Sequence, residues 1–176
     1  MENTILIVVD MQKDFVTGAL GSVQAQSILP KVAEKVKSFE GRLIFTMDTH
    51  GEDYFETQEG RRLPVKHCVK GTDGWNTEGI LAEYAKAKKA AVYEKPTFGS
   101  IALAQDLRRL NEQKAIDAIE LVGVCTDICV ISNALLLKAY LPEVTIRVDA
   151  SCCAGVTVQK HEAALETMRS CQIEVY

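Results

Sequence analysis

Three residues of this chain could carry out acyl chemistry together, although they lie far apart in the sequence. Asp10 ends the apolar run 5–9, Lys95 follows the run 91–94, and Cys129 lies a few residues after the run 119–123. A carboxylate, a cation and a thiol in one site would supply a base, a positive charge and a nucleophile. The spacing alone leaves open that Cys129 is a buried structural cysteine and Lys95 an ordinary surface lysine.

The elements that would position these residues are short apolar strands alternating with amphipathic helices. This alternation predicts an α/β fold, a doubly wound parallel sheet of six strands with helices on both faces. Residues beyond the carboxyl ends of parallel strands collect along one edge, so we expect Asp10, Lys95 and Cys129 to share one crevice. Ser27 is expected to cap the first helix. The predicted strands are 4–9, 42–47, 90–94, 117–122, 144–148 and 172–175, and the predicted helices are 27–39, 77–87, 100–110, 127–140 and 157–170.

The start of the helix at 127–140 bears on the chemistry of the thiol. Thr126 is a natural N-cap, which would place Cys129 in the first turn. Free N–H groups and the helix dipole favour a thiolate there, so we expect the pKa of Cys129 to be lowered. Asp127 would bring an opposing negative charge, which a nearby lysine would offset. Cys125 is the rival nucleophile, although it precedes the cap.

The segment 48–76 is predicted to be a long loop, and it contains the candidate metal ligands. Asp48 and His50 directly follow the second predicted strand, and Glu59 and His67 come later in the segment. Two imidazoles with one or two carboxylates suit zinc, iron or manganese. The sequence therefore predicts a site for one divalent metal ion, with zinc as the first choice. The Asp-x-His pattern by itself could also reflect the polarity of a loop.

Length and composition indicate a single domain, residues 1–176, with a sizeable core. The formal charge of −4 and the lack of a basic cluster argue against nucleic acid or an anionic membrane as a partner. No apolar stretch approaches the roughly 20 residues that span a bilayer, and no signal peptide is recognisable, so we expect a cytoplasmic protein. The six cysteines are then expected to be reduced, with Cys152, Cys153 and Cys171 structural and buried. His161 is expected to be solvated.

Taken together, these motifs resemble those of the isochorismatase-like cysteine hydrolase superfamily, and most closely those of the nicotinamidases. The likeness extends over nearly the full length of the chain. It is carried by the segments 7–15, 48–50, 63–74, 95–98 and 122–130.

The resemblance implies a catalytic triad of Asp10, Lys95 and Cys129. It also implies a cis peptide before Cys125, with the backbone N–H groups of Cys125 and Cys129 forming an oxyanion hole. Phe15 is expected to pack near the ring of the substrate. In that reading Asp10 takes the thiol proton and Lys95 stabilises the thiolate.

For the metal, the resemblance implies that Asp48, His50 and His67 are ligands. Glu59 matches a fourth ligand that part of the family uses. The chain departs from many nicotinamidases at Leu63, where those enzymes have tryptophan, and this changes the expected aromatic wall of the pocket.

The implied activity is a metal-containing amidase that converts nicotinamide to nicotinic acid and ammonia through a thioester. Alternatives are a related amidohydrolase for N-carbamoyl or ureido compounds, an isochorismatase-like hydrolase, and a non-catalytic metal- or redox-sensing protein that uses Cys125 and Cys129. The presence of Cys129 favours amide over vinyl-ether hydrolysis, and Asp10 and Lys95 argue against a sensor. The expected partners are a small-molecule amide and further copies of the chain in a homo-oligomer.

Overall fold

The computed structural model describes residues 3–176 and contains a six-stranded sheet in which all neighbouring strands are parallel. The strand order β3-β2-β1-β4-β5-β6 shows that the chain runs outward from β1 to β3, then crosses back to β4 and runs outward to β6. This is the doubly wound arrangement, and it confirms the predicted α/β fold. The strands are β1 (Thr4–Val9), β2 (Arg42–Asp48), β3 (Ala91–Lys95), β4 (Ala118–Val124), β5 (Thr145–Ala154) and β6 (Glu174–Val175).

Helices cover both faces of the sheet, as predicted. A 3₁₀ turn at Tyr54–Glu56 and a π-helical turn at Thr126–Val130 accompany them. No helix within residues 3–176 has the length and apolar character that crossing a membrane requires. The α-helices are α1 (Lys13–Val16), α2 (Val23–Ser38), α3 (Gln58–Arg62), α4 (Gly79–Ala87), α5 (Ile101–Gln113), α6 (Ile131–Tyr140) and α7 (Val158–Ser170).

Strand β1 shows how the core forms on both sides of the sheet. Ile5, Ile7 and Val9 pack into a cluster with residues of α5, α6 and α7. Leu6 and Val8 point the other way, into a cluster with residues of α2 and α4. All five side chains are fully buried. A strand that is covered on both faces is apolar at every position, which explains the continuous apolar run in the sequence.

Helix α2 begins earlier than the sequence predicted. Ser22 is its N-cap and accepts a hydrogen bond from the Ala25 N–H at 3.0 Å. The predicted start at Ser27 is wrong, and Pro30 lies inside the helix and not in its first turn. The buried residues Ala25 and Ile28 extend the apolar face across this start. Packing of that face against the sheet outweighs the backbone hydrogen bond that Pro30 cannot make.

Three further predictions about local structure need correction. The segment 48–76 is not wholly irregular, since it contains the 3₁₀ turn and α3. Strand β5 extends to Ala154, beyond the predicted end at 148, with a register shift against β4 between Leu121 and Gly123. Cys152 and Cys153 are buried as predicted, whereas Cys171 is exposed at the end of α7.

Candidate active site

The carboxyl ends of β1, β3 and β4 bring the three predicted catalytic residues together. Asp10 follows β1, Lys95 is the last residue of β3, and Cys129 lies in the π-helical turn after β4. The Lys95 Nζ lies 2.7 Å from the Asp10 Oδ2 and 3.6 Å from the Cys129 Sγ. Their exposed fractions are 0% for Asp10, 1% for Lys95 and 5% for Cys129. The structure therefore places a base, a cation and a thiol in direct contact and away from water.

Hydrogen bonds hold the Asp10 carboxylate with one oxygen directed into the site. Its Oδ1 accepts a hydrogen bond from the Thr46 hydroxyl at 2.7 Å, and its N–H donates to the Thr46 carbonyl at 3.2 Å. Its Oδ2 forms the ion pair with Lys95, yet has no well-aligned hydrogen bond among residues 3–176. The Cys129 thiol is close enough to interact with this carboxylate. Asp10 can therefore accept a proton from the thiol.

Burial controls the protonation of this group of residues. It raises the pKa of the Cys129 thiol well above its usual value; Asp10 adds to that rise and Lys95 opposes it. Burial also raises the pKa of Asp10, against the opposing charge of Lys95. Burial alone would lower the pKa of Lys95, but the charges of Asp10, Cys129 and Asp48 raise it. The expected lowering of the Cys129 pKa is therefore wrong for the resting site, which holds a neutral thiol beside a charged lysine.

The turn that carries Cys129 differs from the predicted helix start. The Val124–Cys125 peptide is cis, as the resemblance implied. Cys125 holds the N-cap position, so the prediction that Thr126 caps the helix is wrong. The Thr126 Oγ1 instead shares a hydrogen bond of 2.8 Å with the Nδ1 of His161. His161 is half-buried by this contact and is not the solvated residue that we expected.

Two backbone hydrogen bonds define the turn, one from the residue before Cys129 and one from the residue after it. The Cys125 carbonyl accepts hydrogen bonds of 3.0 Å from the N–H groups of Ile128 and Val130. The N–H of Cys129 lies between these two donors. Asp127, which the sequence placed near the thiol, accepts a hydrogen bond from the Val156 N–H at 2.9 Å. Burial first, and then the charge of Asp127, raises the pKa of Cys125 to about 12.

Glycine is required where β4 passes β1 just before this turn. Gly123 has φ +120°, and a Cβ at this position would lie 2.1 Å from the Val9 carbonyl oxygen. Any other residue would force β4 away from β1. The close approach keeps the turn with Cys129 beside Asp10.

Asn133 is a site residue that sequence reasoning missed. Its side chain is 1% exposed and joins the nucleophile turn to the loop after Lys95. The Nδ2 group donates to the carbonyls of Cys129 at 2.8 Å and Phe98 at 3.1 Å, and the Oδ1 accepts from the Ser100 N–H at 2.9 Å. A single asparagine in a predicted helix that is otherwise mostly apolar was the signal that could have identified it.

The predicted metal ligands converge beside the triad. One donor atom from each of Asp48, His50, Glu59 and His67 lies within 4.8 Å of the others. The Asp48 Oδ2 is 3.0 Å from the His50 Nε2 and 3.5 Å from the His67 Nε2. The Nδ1 of His67 faces the Val65 carbonyl at 2.8 Å, which leaves the Nε2 lone pair directed at the cluster. Two imidazoles and two carboxylates in this arrangement fit one divalent ion.

The electrostatics of the cluster also suit a cation. Burial would raise the pKa of Asp48, but hydrogen bonds from His50 and His67 lower it. Burial and the charge of Asp48 raise the pKa of Glu59. The Asp48 Oδ1 lies 3.5 Å from the Lys95 Nζ. Asp48 therefore belongs both to the metal cluster and to the surroundings of the triad.

Gln12 and Tyr54 support the cluster, and the sequence analysis assigned neither a role. The Gln12 side chain donates to the Asp48 carbonyl at 2.9 Å and accepts from the Asp48 N–H at 2.7 Å. The buried Tyr54 ring packs against the rings of His50 and His67, with centroid distances of 4.8 and 5.1 Å. The available signal for Gln12 was its place in the segment 7–15, one of those that carry the resemblance.

A cleft of about 640 Å³ gives access to both groups of residues. Cys129, His67 and Glu59 line it, together with Cys125. Phe15 also lines the cleft, with its ring centroid 5.4 Å from that of His67. Phe15 therefore lines the cleft beside His67, and its contact with the ring of a substrate stays a prediction.

Comparison with known proteins agrees with the resemblance seen in the motifs. Residues 4–176 match the isochorismatase domain. The nicotinamidase/pyrazinamidase of Mycobacterium tuberculosis (strain ATCC 25618 / H37Rv) is 29% identical over 184 residues, which cover 97% of this chain and 96% of the relative.

Solved structures agree with this relationship. The crystal structure of the nicotinamidase PncA from Bacillus subtilis has a TM-score of 0.84 at 27% identity, and the alignment covers 98% of each chain. The crystal structure of the pyrazinamidase of Pyrococcus horikoshii in complex with zinc has a TM-score of 0.79 at 28% identity, covering 99% of this chain and 98% of that chain. With the family match extending over residues 4–176, the chain belongs to the isochorismatase domain family.

Proposed function

We propose that this chain is a cysteine amidohydrolase that converts nicotinamide to nicotinic acid and ammonia through a thioester. One observation carries the proposal: the buried triad of Asp10, Lys95 and Cys129 shares a cleft with a cluster of metal donors. Relatives named nicotinamidase or pyrazinamidase support the choice of substrate.

In the first half of the reaction, the Cys129 Sγ attacks the carboxamide carbon while its proton moves to the Asp10 Oδ2. The raised pKa of Asp10 makes it a stronger base for this transfer, and burial keeps competing water away. Lys95 offsets the negative charge that develops on sulfur. The backbone N–H groups of Cys125 and Cys129 are the proposed donors to the carbonyl oxygen as it becomes an oxyanion.

Collapse of this intermediate breaks the carbon–nitrogen bond. Asp10 returns the proton to the departing nitrogen, ammonia leaves, and the acyl group stays on the Cys129 Sγ as a thioester. Asp10 then takes a proton from water as the water oxygen bonds to the acyl carbon. The carbon–sulfur bond breaks, the thiolate recovers the proton, and nicotinic acid is released.

The metal cluster would orient the substrate and so select for its ring. Asp48, His50, Glu59 and His67 would hold one divalent ion, with zinc proposed first because the donors are two imidazoles and two carboxylates. When bound, such an ion supplies a Lewis-acid site that can coordinate the ring nitrogen of a pyridine. Phe15 lies beside His67 and would contact the face or edge of the ring.

A panel of amides tests this function. We expect the metal-loaded enzyme to release ammonia from nicotinamide and pyrazinamide, and to act poorly on benzamide, which lacks the ring nitrogen. Activity on an N-carbamoyl amino acid alone would instead identify the related amidohydrolase. Benzamide turned over as fast as nicotinamide would disprove the orienting role of the ring nitrogen.

Two matched cysteine variants test the assignment of the nucleophile. Cys129→Ala should abolish turnover, because it removes the only thiol in contact with Lys95 among the described residues. Cys125→Ala should retain much of the activity, since only the backbone N–H of that residue is used. An inactive Cys125→Ala protein together with an active Cys129→Ala protein would contradict the mechanism.

A further inference from the structure

The mouth of the cleft is formed by large apolar side chains that remain in contact with solvent. Leu63, Phe98 and Val156 line the cleft and are 38%, 45% and 46% exposed. Cys129 and His67, the residues that would flank a single-ring amide, are by contrast only 5% and 2% exposed. Exposed apolar residues gathered at one opening are typical of a surface that a ligand covers.

Two cationic side chains also line this cleft. Arg62 lies at the end of α3, and Lys160 lies in the first turn of α7. Within residues 3–176, neither side chain forms an ion pair or a hydrogen bond, although the chain as a whole carries a net charge of −4. The acids that line the cleft, Asp48 and Glu59, both belong to the metal cluster.

These observations complement one another. With Asp48 and Glu59 committed to a divalent cation, the remaining charged side chains of the cleft lining are positive. An acyl group with an apolar body and a terminal anion would cover the apolar mouth and also pair with these cations. A neutral single-ring amide would do neither.

We propose that the preferred substrate class is an extended aryl carboxamide whose distal oxyanion is bound by Arg62 or Lys160, the two cations of the cleft lining. Its apolar body would lie between Leu63, Phe98 and Val156. This inference rests on the proposed function, because it extends the substrate of the same site. The distal oxyanion can be a carboxylate or a phosphate-like group, since a lysine and an arginine bind both.

A set of synthetic nicotinamides tests the proposal. Each compound carries a phenyl, carboxyphenyl or phosphonophenyl group at ring carbon 5, in its meta or para form, so that the ring nitrogen and the carboxamide both stay unhindered. The readout is the ratio of kcat/KM for each anionic compound to kcat/KM for its phenyl counterpart. The enzymes are wild type, Arg62→Gln, Lys160→Gln and the control Lys37→Gln, an exposed lysine of α2 outside the cleft lining.

For the wild type and for Lys37→Gln, we expect at least one anionic compound to have a higher kcat/KM than its phenyl counterpart. The ratio should fall by about two- to five-fold in Arg62→Gln or in Lys160→Gln, whichever residue binds the anion, which is the range for solvent-exposed ion pairs. Added salt should reduce the ratio in the wild type, because these charges are screened. The larger ratio among the carboxyphenyl and phosphonophenyl compounds identifies the preferred anion.

The proposal would be overturned if the ratio is the same in all four enzymes, or if no anionic compound has a higher kcat/KM than its phenyl counterpart. Neither result would contradict the hydrolysis of nicotinamide itself. If no amide is hydrolysed, the proposed function fails. The same comparison is then made with dissociation constants for the Cys129→Ala protein, in which binding is measured without turnover. A preference for the anion that disappears in at least one of the double variants Cys129→Ala/Arg62→Gln and Cys129→Ala/Lys160→Gln would support the anion site. Equal preference in the Cys129→Ala protein and in both double variants, or no preference at all, would overturn it.

Discussion

Replacing Lys95 by methionine is the most informative perturbation of this site. The Lys95 ammonium is 1% exposed and lies 2.7 Å from the Asp10 carboxylate and 3.5 Å from the Asp48 carboxylate. Methionine fills a similar volume but carries no charge. Lys95→Met would therefore leave two buried carboxylates near each other without the cation that balances them.

The expected loss of stability follows from this geometry. Removing one partner of a buried ion pair costs about 3–5 kcal/mol, which for a protein of this length lowers the Tm by roughly 6–20 °C. Asp10 can relieve part of the cost by taking up a proton, because its pKa is already raised by burial. A protonated Asp10 cannot accept the thiol proton, so we also expect turnover to fall by about 10²- to 10⁴-fold.

The contribution of Lys95 to the stability of the fold should depend on pH in a definite direction. The pKa of Lys95 is raised above its ordinary value of 10.5, so its stabilising contribution is fully present below pH 10.5 and is lost as the pH rises through the higher folded-state value. The advantage of the wild type over Lys95→Met should therefore persist throughout the neutral range.

Thermal and denaturant unfolding with ammonia-release kinetics provide the assay. Lys70→Met is a matched control, because Lys70 is 60% exposed and pairs with Glu94, the neighbour of Lys95 on β3. That surface pair should contribute less than about 1 kcal/mol. Lys95 does not balance the two carboxylates if the free energy of unfolding of Lys95→Met is within about 1 kcal/mol of the wild-type value and the variant keeps more than roughly a tenth of the turnover.

Three further predictions concern other parts of the molecule. Asn133→Asp removes the N–H donors that hold the Cys129 carbonyl. We therefore expect kcat, and the rate at which iodoacetamide alkylates Cys129, to fall about tenfold with little change in KM. Equal effects on kcat and KM would argue against a positioning role for Asn133. Lys35→Met should cost about 1–3 kcal/mol in denaturant unfolding near neutral pH, because Lys35 pairs with Asp149 at 2.5 Å. The pKa of Asp149 is lowered, so this difference should be present above pH 3.8 and shrink as the pH falls through the lower folded-state pKa; a difference that is independent of pH would contradict the pairing. His67→Ala should lose bound metal by elemental analysis, and an unchanged metal content would remove this residue from the ligand set.

The sequence by itself determined which residues reach the active edge of the sheet. Strand β1 is buried on both faces, so its apolar run is continuous and its end is marked by the first polar residue, Asp10. The same logic located Asp48 at the end of β2, which is buried from Leu43 onward. Strand β3 lies at the edge of the sheet and is mostly exposed up to Lys95, so there the alternation of strands and helices was the signal. These predictions succeed because burial of a strand and the position of its carboxyl end depend mostly on local pattern.

The local sequence pattern did not locate a helix start where several residues could serve as the N-cap. Ser22 and Ser27 are both acceptable helix caps, and the packing of Ala25 and Ile28 against the sheet decided between them. At the nucleophile turn, the hydroxyl of Thr126 contacts His161, which is 35 residues away in the sequence. A partner so distant leaves no signal in the neighbouring residues.

The protonation of Cys129 was decided by the tertiary structure alone. A position in the first turn of a helix predicts a lowered thiol pKa, because the helix dipole is a local feature. In the folded protein, burial and the nearby Asp10 carboxylate outweigh the charge of Lys95, so the pKa is raised. Desolvation depends on every chain segment that packs around the thiol, and those segments come from the whole length of the sequence.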